Sequence, residues 1–236
     1  MTNSDSQKSK IAEPGCVIAH QLKNPISVLY CYLEVLMSEE IGKLNEKQKE
    51  YLNDALKNVE LMSKMVKDIL DIYRIEEGEY KTKPQYTDLI KITNKIVKDF
   101  SYWAKASNCE IIFKKPKDIP MIYVDSTKIH YVIENLISNA IFYKTSGLGK
   151  IEITIEEKNK KVLFSCKDNG IGIPPKDFNK VFSKFYRSEA AIILYPNGTG
   201  LGLYISKAII QSSGGEIWFK NNKDKGTTFY FSLPIT

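Results

Sequence analysis

Two hydrophobic periodicities divide the chain. From Cys16 to about Arg74, apolar residues recur in steps of three and four: Ile18, Leu22, Ile26, Leu29, Leu33 and Leu36, then Leu52, Ala55, Val59, Met62, Val66, Ile69 and Tyr73. Such steps keep one stripe on one side of a helix and predict two amphipathic helices with coiled-coil-like seams. Ser38 to Asn45, with Gly42 and acidic residues, suits the turn of an antiparallel hairpin. Two helices of this length cannot bury such seams on each other alone. A second copy completing a four-helix bundle is the expected solution, against an intramolecular hairpin packed on the rest of the chain.

After Gly78 the period changes. Short β-rich runs (Glu110 to Phe113, Met121 to Val124, Lys150 to Glu156, Val162 to Lys167, Glu216 to Phe219, Thr227 to Leu233) are interspersed with helical stretches (Asp88 to Ala104, Ser126 to Tyr143, Leu201 to Ser213). This predicts an α+β chain, a helical hairpin followed by a layered sheet-and-helix domain. The expected division is a polar tail over 1–12, the hairpin over 13–76, a charged hinge over 77–83 and the second domain over 84–236. Between Pro174 and Gly198 lies a long connection with only a weak short helix, the length expected of a lid.

Composition narrows the classes. With 43% hydrophobic and 26% charged residues in 236, a folded chain is expected. No apolar run approaches the roughly 18 residues that cross a bilayer, and the start Thr2 to Lys8 lacks the apolar core of a secretion signal. A soluble, cytoplasmic chain without membrane insertion is expected, or the cytoplasmic portion of a membrane-bound sensor. Cys16, Cys31, Cys109 and Cys166 form no CxxC pair, so neither a zinc site nor a disulfide framework is signalled. The net charge of +6 comes from lysines interleaved with acids rather than a basic stripe, which argues against nucleic acid. Arginine occurs only at Arg74 and Arg187, so a fixed, planar cation is expected to matter there.

Five short blocks then occur in fixed order: His20-Gln21-Leu22-Lys23-Asn24-Pro25, Asn135-Leu136-Ile137-Ser138-Asn139-Ala140, Asp168-Asn169-Gly170-Ile171-Gly172-Ile173-Pro174, Phe182-Ser183-Lys184-Phe185-Tyr186-Arg187 and Gly198-Thr199-Gly200-Leu201-Gly202-Leu203. Each alone is weak, since glycine pairs and Asn-Ala dipeptides recur by chance. Their joint order and spacing carry the signal. Asn135 and Asn139, four apart on a predicted helix, share a face. Asp168 ends an apolar strand, where a carboxylate is costly without a partner. The Gly198 to Leu203 loop feeds a helix start and can offer backbone amides to phosphate oxygens.

The set resembles the catalytic core of a sensor histidine kinase, with a dimerisation and phosphotransfer hairpin and an α/β sandwich ATP-binding domain of the histidine kinase/gyrase/Hsp90 type. The resemblance implies ATP and Mg2+ as cofactors, a homodimer, and the receiver domain of a response regulator as partner. It implies that His20 attacks the γ-phosphate and passes the phosphoryl group to an aspartate, and that Asn24 positions water for a phosphatase activity on that partner. Asp168 would accept the adenine amine, with Gly170, Gly172 and Ile173 against the base and Tyr143 packed on it or in the core. Asn139 would hold Mg2+. Asn135 stands where related ATP hydrolases carry a water-activating glutamate, and an amide cannot be that base. Gly198, Thr199, Gly200, Leu201, Gly202, Leu203 and Thr227 complete the implied nucleotide contacts. Phe182, Phe185 and Tyr186 resemble hooks that dock the lid, and Arg187 the cation that meets the transferring phosphate.

Two positions depart from the family. Gln21 replaces the usual acidic neighbour of the histidine, so a slower autokinase is expected. Phe142 stands where a phosphate-contacting lysine is common, leaving Lys144 or the lid to supply charge. These departures are the support for an alternative, a kinase-impaired dimeric phosphotransfer or phosphatase scaffold with a degenerate nucleotide site. An ATP-hydrolysing clamp is disfavoured by Asn135 and by the hairpin carrying His20.

Overall fold

Asn45 fixes where the second helix begins. Its side chain accepts from the Gln48 amide at 2.9 Å while the Gln48 side chain accepts from the Asn45 amide at 2.9 Å, a reciprocal cap that satisfies two otherwise orphaned donors. The computed structural model describes the backbone of residues 5–235 and the side chains of Ala19 and residues 21–235. Helix α1 (Asp5–Met37) and helix α2 (Glu46–Glu76) form a hairpin whose turn falls where the pattern places it. Glu39 holds that turn, accepting from the Leu44 amide at 3.2 Å and pairing with Lys49 at 2.9 Å. The Lys49 contact draws its carboxyl below the usual range.

Inside the hairpin, Ala19 and Ile26, seven apart on α1, pack with Val59 and Val66 of α2, and Leu33 continues the series. Leu22 and Leu29, also seven apart, are exposed, as are Tyr32 and Val35. The α1 seam therefore splits into two stripes, one spent within the hairpin and one outside it. Met62, expected in the α2 seam, also lies exposed, outside the cluster that Val59 and Val66 join.

The chain divides between Tyr80 and Lys81, and the second unit is built on one sheet. Its five strands are ordered β2 (Cys109–Lys114), β4 (Gly149–Lys158), β5 (Lys161–Asp168), β7 (Thr227–Pro234), β6 (Glu216–Asn221). The β2–β4 pair is parallel and the others antiparallel. A separate antiparallel pair joins β1 (Gln85–Thr87) to β3 (Ile122–Val124). Helices α3 (Leu89–Ala106), α4 (Ser126–Phe142) and α6 (Gly202–Ser212) pack on the sheet and on one another, giving a two-layer α/β sandwich. Ile151, Ile153 and Ile155 of β4 and Val162, Phe164 and Cys166 of β5 alternate inward, so one face of each strand is core. Phe164 lies opposite Phe231 with ring centroids 4.7 Å apart and planes 9° from parallel. Among the described residues no helix is long and apolar enough to cross a membrane.

Phe164→Ala should destabilise this unit by about 3–5 kcal/mol, because it removes a fully buried ring that neighbours cannot replace. Tyr102→Ala, at a position 87% exposed, should shift it by less than about 0.5 kcal/mol. Urea unfolding followed through Trp218 of β6 checks both.

Candidate nucleotide site

Strand alternation brings Asp168 to the inward side at the end of β5, in register with the core residues Phe164 and Cys166. Burial holds its carboxyl above the usual carboxylate range, and hydrogen bonds from two backbone amides partly offset that. Its Oδ1 accepts from the Gly170 amide at 2.8 Å and from the Thr227 amide at 3.0 Å. No described residue donates to its second oxygen, which leaves an acceptor for an incoming amine.

Backbone closeness around Asp168 depends on glycine. At Gly226, φ is +85°, and a Cβ would lie 2.2 Å from the Asp168 carbonyl oxygen. At Gly170, a Cβ would lie 2.4 Å from the Tyr143 carbonyl oxygen, which accepts from the Ile171 amide at 3.0 Å. Two residues absent from the sequence reading fasten this loop. Asn221 at the end of β6 accepts from the Ile173 amide at 3.1 Å and donates to the Ile173 carbonyl at 2.7 Å. Asn222 donates to the Asp168 carbonyl at 2.7 Å and accepts from the Thr228 hydroxyl at 2.6 Å. An Asn-Asn pair leaving a strand was the only signal for them.

Helices α4 and α6 carry the polar block. Asn139 is half-buried, and no described group hydrogen-bonds its side-chain amide, so its oxygen is available as a hard ligand. Asn135, which the family resemblance counts among the nucleotide-binding residues, has its side chain turned to a neighbouring helix. It is buried between α4 and α6, donates to the Ser206 hydroxyl at 3.0 Å, and lies where a Cβ on Gly202 would meet its oxygen at 2.2 Å. Its amide joins two helices. Leu201 is likewise a core side chain, 2% exposed, and its amide donates to the Thr199 hydroxyl at 3.2 Å. The Leu201 side chain is therefore taken up by the core, and among the described residues no side chain caps the start of α6. Lys144 donates to the Gly147 carbonyl at 3.3 Å, and Tyr143 is half-buried at the end of α4. Among the described residues no cluster of His, Cys, Asp or Glu could itself hold a metal ion.

The segment between Pro174 and Gly198 contains a 3-10 turn (Pro175–Asp177) and a short helix α5 (Glu189–Leu194). Phe182 packs with Phe219 and Phe229, and burial, with a hydrogen bond to the buried Asp177, pushes the Tyr186 phenol up to about 12. Phe185 does not dock: it is 65% exposed, on backbone with a φ of +58°. Gly200 fits against that backbone, where a Cβ would lie 2.7 Å from the Phe185 carbonyl carbon. Arg187 folds into its own segment. Its guanidinium donates to the carbonyls of Ala191 at 2.9 Å, Pro196 at 2.8 Å and Gly198 at 2.8 Å, and to that of Tyr195. His20 belongs to α1, but its side chain lies outside the described residues. Gln21 and Asn24 are exposed.

Residues 124–236 match the family model of histidine kinase-, DNA gyrase B-, and HSP90-like ATPases, and residues 16–78 match that of the His kinase A (phospho-acceptor) domain. The chain is 33% identical over 219 residues to the sensor histidine kinase WalK of Bacillus subtilis, covering 92% of this chain and 35% of WalK. It thus spans about a third of that relative's length. A solved catalytic domain of histidine kinase ThkA is 31% identical, with a TM-score of 0.57 over 64% of this chain and 95% of that one. ThkA solved in complex with the response regulator protein TrrA gives a TM-score of 0.63 at 26% identity, over 98% of this chain and 64% of that one. With one family model over the hairpin, a second over most of the sheet unit and a solved catalytic domain matched along nearly its whole length, the chain belongs to the sensor histidine kinase family.

Proposed function

We propose that this chain is the catalytic core of an ATP-dependent protein-histidine kinase of a two-component system. One observation carries the reading: a strand-end carboxylate, Asp168, has one oxygen fixed by two main-chain amides and the other without a donor among the described residues, as an adenine amine would require. Asn139 supplies an amide oxygen for Mg2+, which when bound would neutralise triphosphate charge, and the uncapped start of α6 offers amides to phosphate oxygens.

A ring nitrogen of His20 attacks the γ-phosphorus, and the N–P bond forms as the bond to the β,γ-bridging oxygen breaks. ADP departs with that electron pair. The phosphoryl group then passes to an aspartate carboxylate of a response regulator receiver domain, a partner class supported by the ThkA complex with TrrA. Positioning and charge neutralisation do most of the work in such a transfer. Gln21 can hold the other ring nitrogen through its amide oxygen but brings no negative charge. Asn24, four residues after His20 on the same helix, would orient water against the regulator's phosphoaspartate, a phosphatase activity. Arg187 reaches a phosphate only by exchanging its four carbonyl partners, and this favours a second reading, a kinase-impaired phosphotransfer or phosphatase scaffold.

Incubation with γ-labelled Mg-ATP separates the two. Acid-labile label on the wild type, absent from His20→Ala, is expected; label that persists in His20→Ala would reject the kinase assignment.

Asp168 gives a pH signature. A raised pKa means the folded chain holds this proton more tightly than the unfolded chain, so the associated stability is full below the ordinary Asp range and is lost as pH rises through the raised value. Nucleotide binding runs the other way, since the amine needs the ionised acceptor. Affinity for ATP should therefore fall on acidification at pH values above the ordinary Asp range. Asp168→Asn should bind about tenfold or more weaker and lose that dependence, as titration calorimetry across pH would show.

The exposed stripe of Leu22, Leu29, Tyr32 and Val35 supports a homodimer joined through a four-helix bundle. Sedimentation should report a dimer at micromolar concentration, and Leu22→Glu with Leu29→Glu should give a monomer that retains the sheet unit's unfolding transition.

A further inference from the structure

The segment between Pro174 and Gly198 has two aromatic moorings. Its first half is held by Phe178 and Phe182 against Phe219 of β6, with centroids 5.2 and 6.1 Å apart. Its second half is moored by one ring. Tyr195, which follows α5, stacks on Phe142 of α4 with centroids 3.7 Å apart and planes 19° from parallel. Trp103 of α3 also meets Phe142, edge-on with centroids 4.9 Å apart. The contact thus forms at the α4 position where a cationic side chain is common in the family.

Tyr195 is also the backbone hub of its segment. Its amide donates to the Ala191 carbonyl at 3.1 Å, and its carbonyl accepts from the Gly198 amide at 3.3 Å and from the Arg187 guanidinium. The other carbonyls that hold Arg187, from Ala191, Pro196 and Gly198, lie within four residues of Tyr195 in the chain. Moving the Tyr195 ring off α4 carries this cage, and the guanidinium inside it, along.

We propose that Phe142 and Tyr195 are positioning residues of the nucleotide site: their stack docks segment 188–198 onto α4 and thereby fixes where the Arg187 cation sits. The proposal rests on the kinase reading above for its effect on rate, but the docking itself does not. An aromatic pair of this kind shifts a docked-to-undocked ratio by about tenfold. Asp168 lies on another element, so its hold on the base is independent of the stack.

The test uses the full chain and compares Tyr195→Ala, Tyr195→Phe and Phe142→Ala in a Trp218→Phe background, where Trp103 is the only indole. Both alanine variants should phosphorylate about tenfold more slowly from Mg-ATP, with ADP affinity within about twofold of the parent. Trp103 emission should shift in Phe142→Ala, and protease should cut within 188–198 sooner while the sheet stays resistant. Tyr195→Phe, which keeps the ring, should restore rate and protease resistance. A parental rate in Tyr195→Ala overturns the role in catalysis, and a segment still resistant in that variant overturns the docking. Tyr195→Phe as slow as Tyr195→Ala would assign the effect to the hydroxyl and reject the stack. If Phe142→Ala loses protection throughout the sheet, Tyr195→Ala, on a surface segment, decides alone. Should the parent bind no ADP, the nucleotide reading fails, whereas the protease and fluorescence arms still decide the docking.

Discussion

A carboxylate placed at the end of a buried strand has to be satisfied by main chain, and the sheet unit is arranged around that requirement at Asp168. The Gly170 amide comes from the loop that follows β5, and the Thr227 amide from the start of β7. Asn222 ties the Asp168 carbonyl to the end of β6, and Gly226 lets the β6–β7 connection pass within backbone contact. Three strands and two loops thus converge on one residue. Because both amides are used on a single oxygen, the other has no donor among the described residues, and its charge is only partly compensated.

The second constraint is the fit of α6 against α4. Gly202 opens α6 directly on the Asn135 amide, and the Ser206 hydroxyl one turn later accepts a hydrogen bond from that amide. This hydrogen bond uses a buried polar group to set the spacing of two helices, which an apolar pair of the same size would do with less directional control. The consequence is a glycine-rich helix start whose position is set from below, while the loop leading into it is anchored by the burial of Leu201.

Much of this was legible in the sequence, because period-2 and period-3.6 patterns report directly on which residues face a core. Strands β2 through β7 and helices α3, α4 and α6 lie within a few residues of where those patterns put them. Strand β1 left no such mark: its three residues, Gln85, Tyr86 and Thr87, contain one inward position. The helical face shared by Asn135 and Asn139 was legible too, but not that one amide would turn to Ser206, 71 residues away. Asn221 and Asn222 escaped for the same reason, since side chains that grip main-chain groups 48 and 54 residues distant show no periodicity. Composition singled out Arg187 as one of two arginines, yet its carbonyl partners depend on how the segment folds back on itself. The hairpin's two stripes could be counted from sequence, though which one α2 would cover follows from packing.

Strand β7 occupies an interior place in the sheet although it comes later in the chain than every other strand, and this has a consequence for biosynthesis. Thr227 is 59 residues beyond Asp168, so at ribosomal elongation rates of about 5–20 residues per second the carboxylate waits roughly 3–12 s for its second donor. Throughout that interval β5 presents an unpaired edge, the kind of surface on which nascent chains aggregate or recruit chaperones.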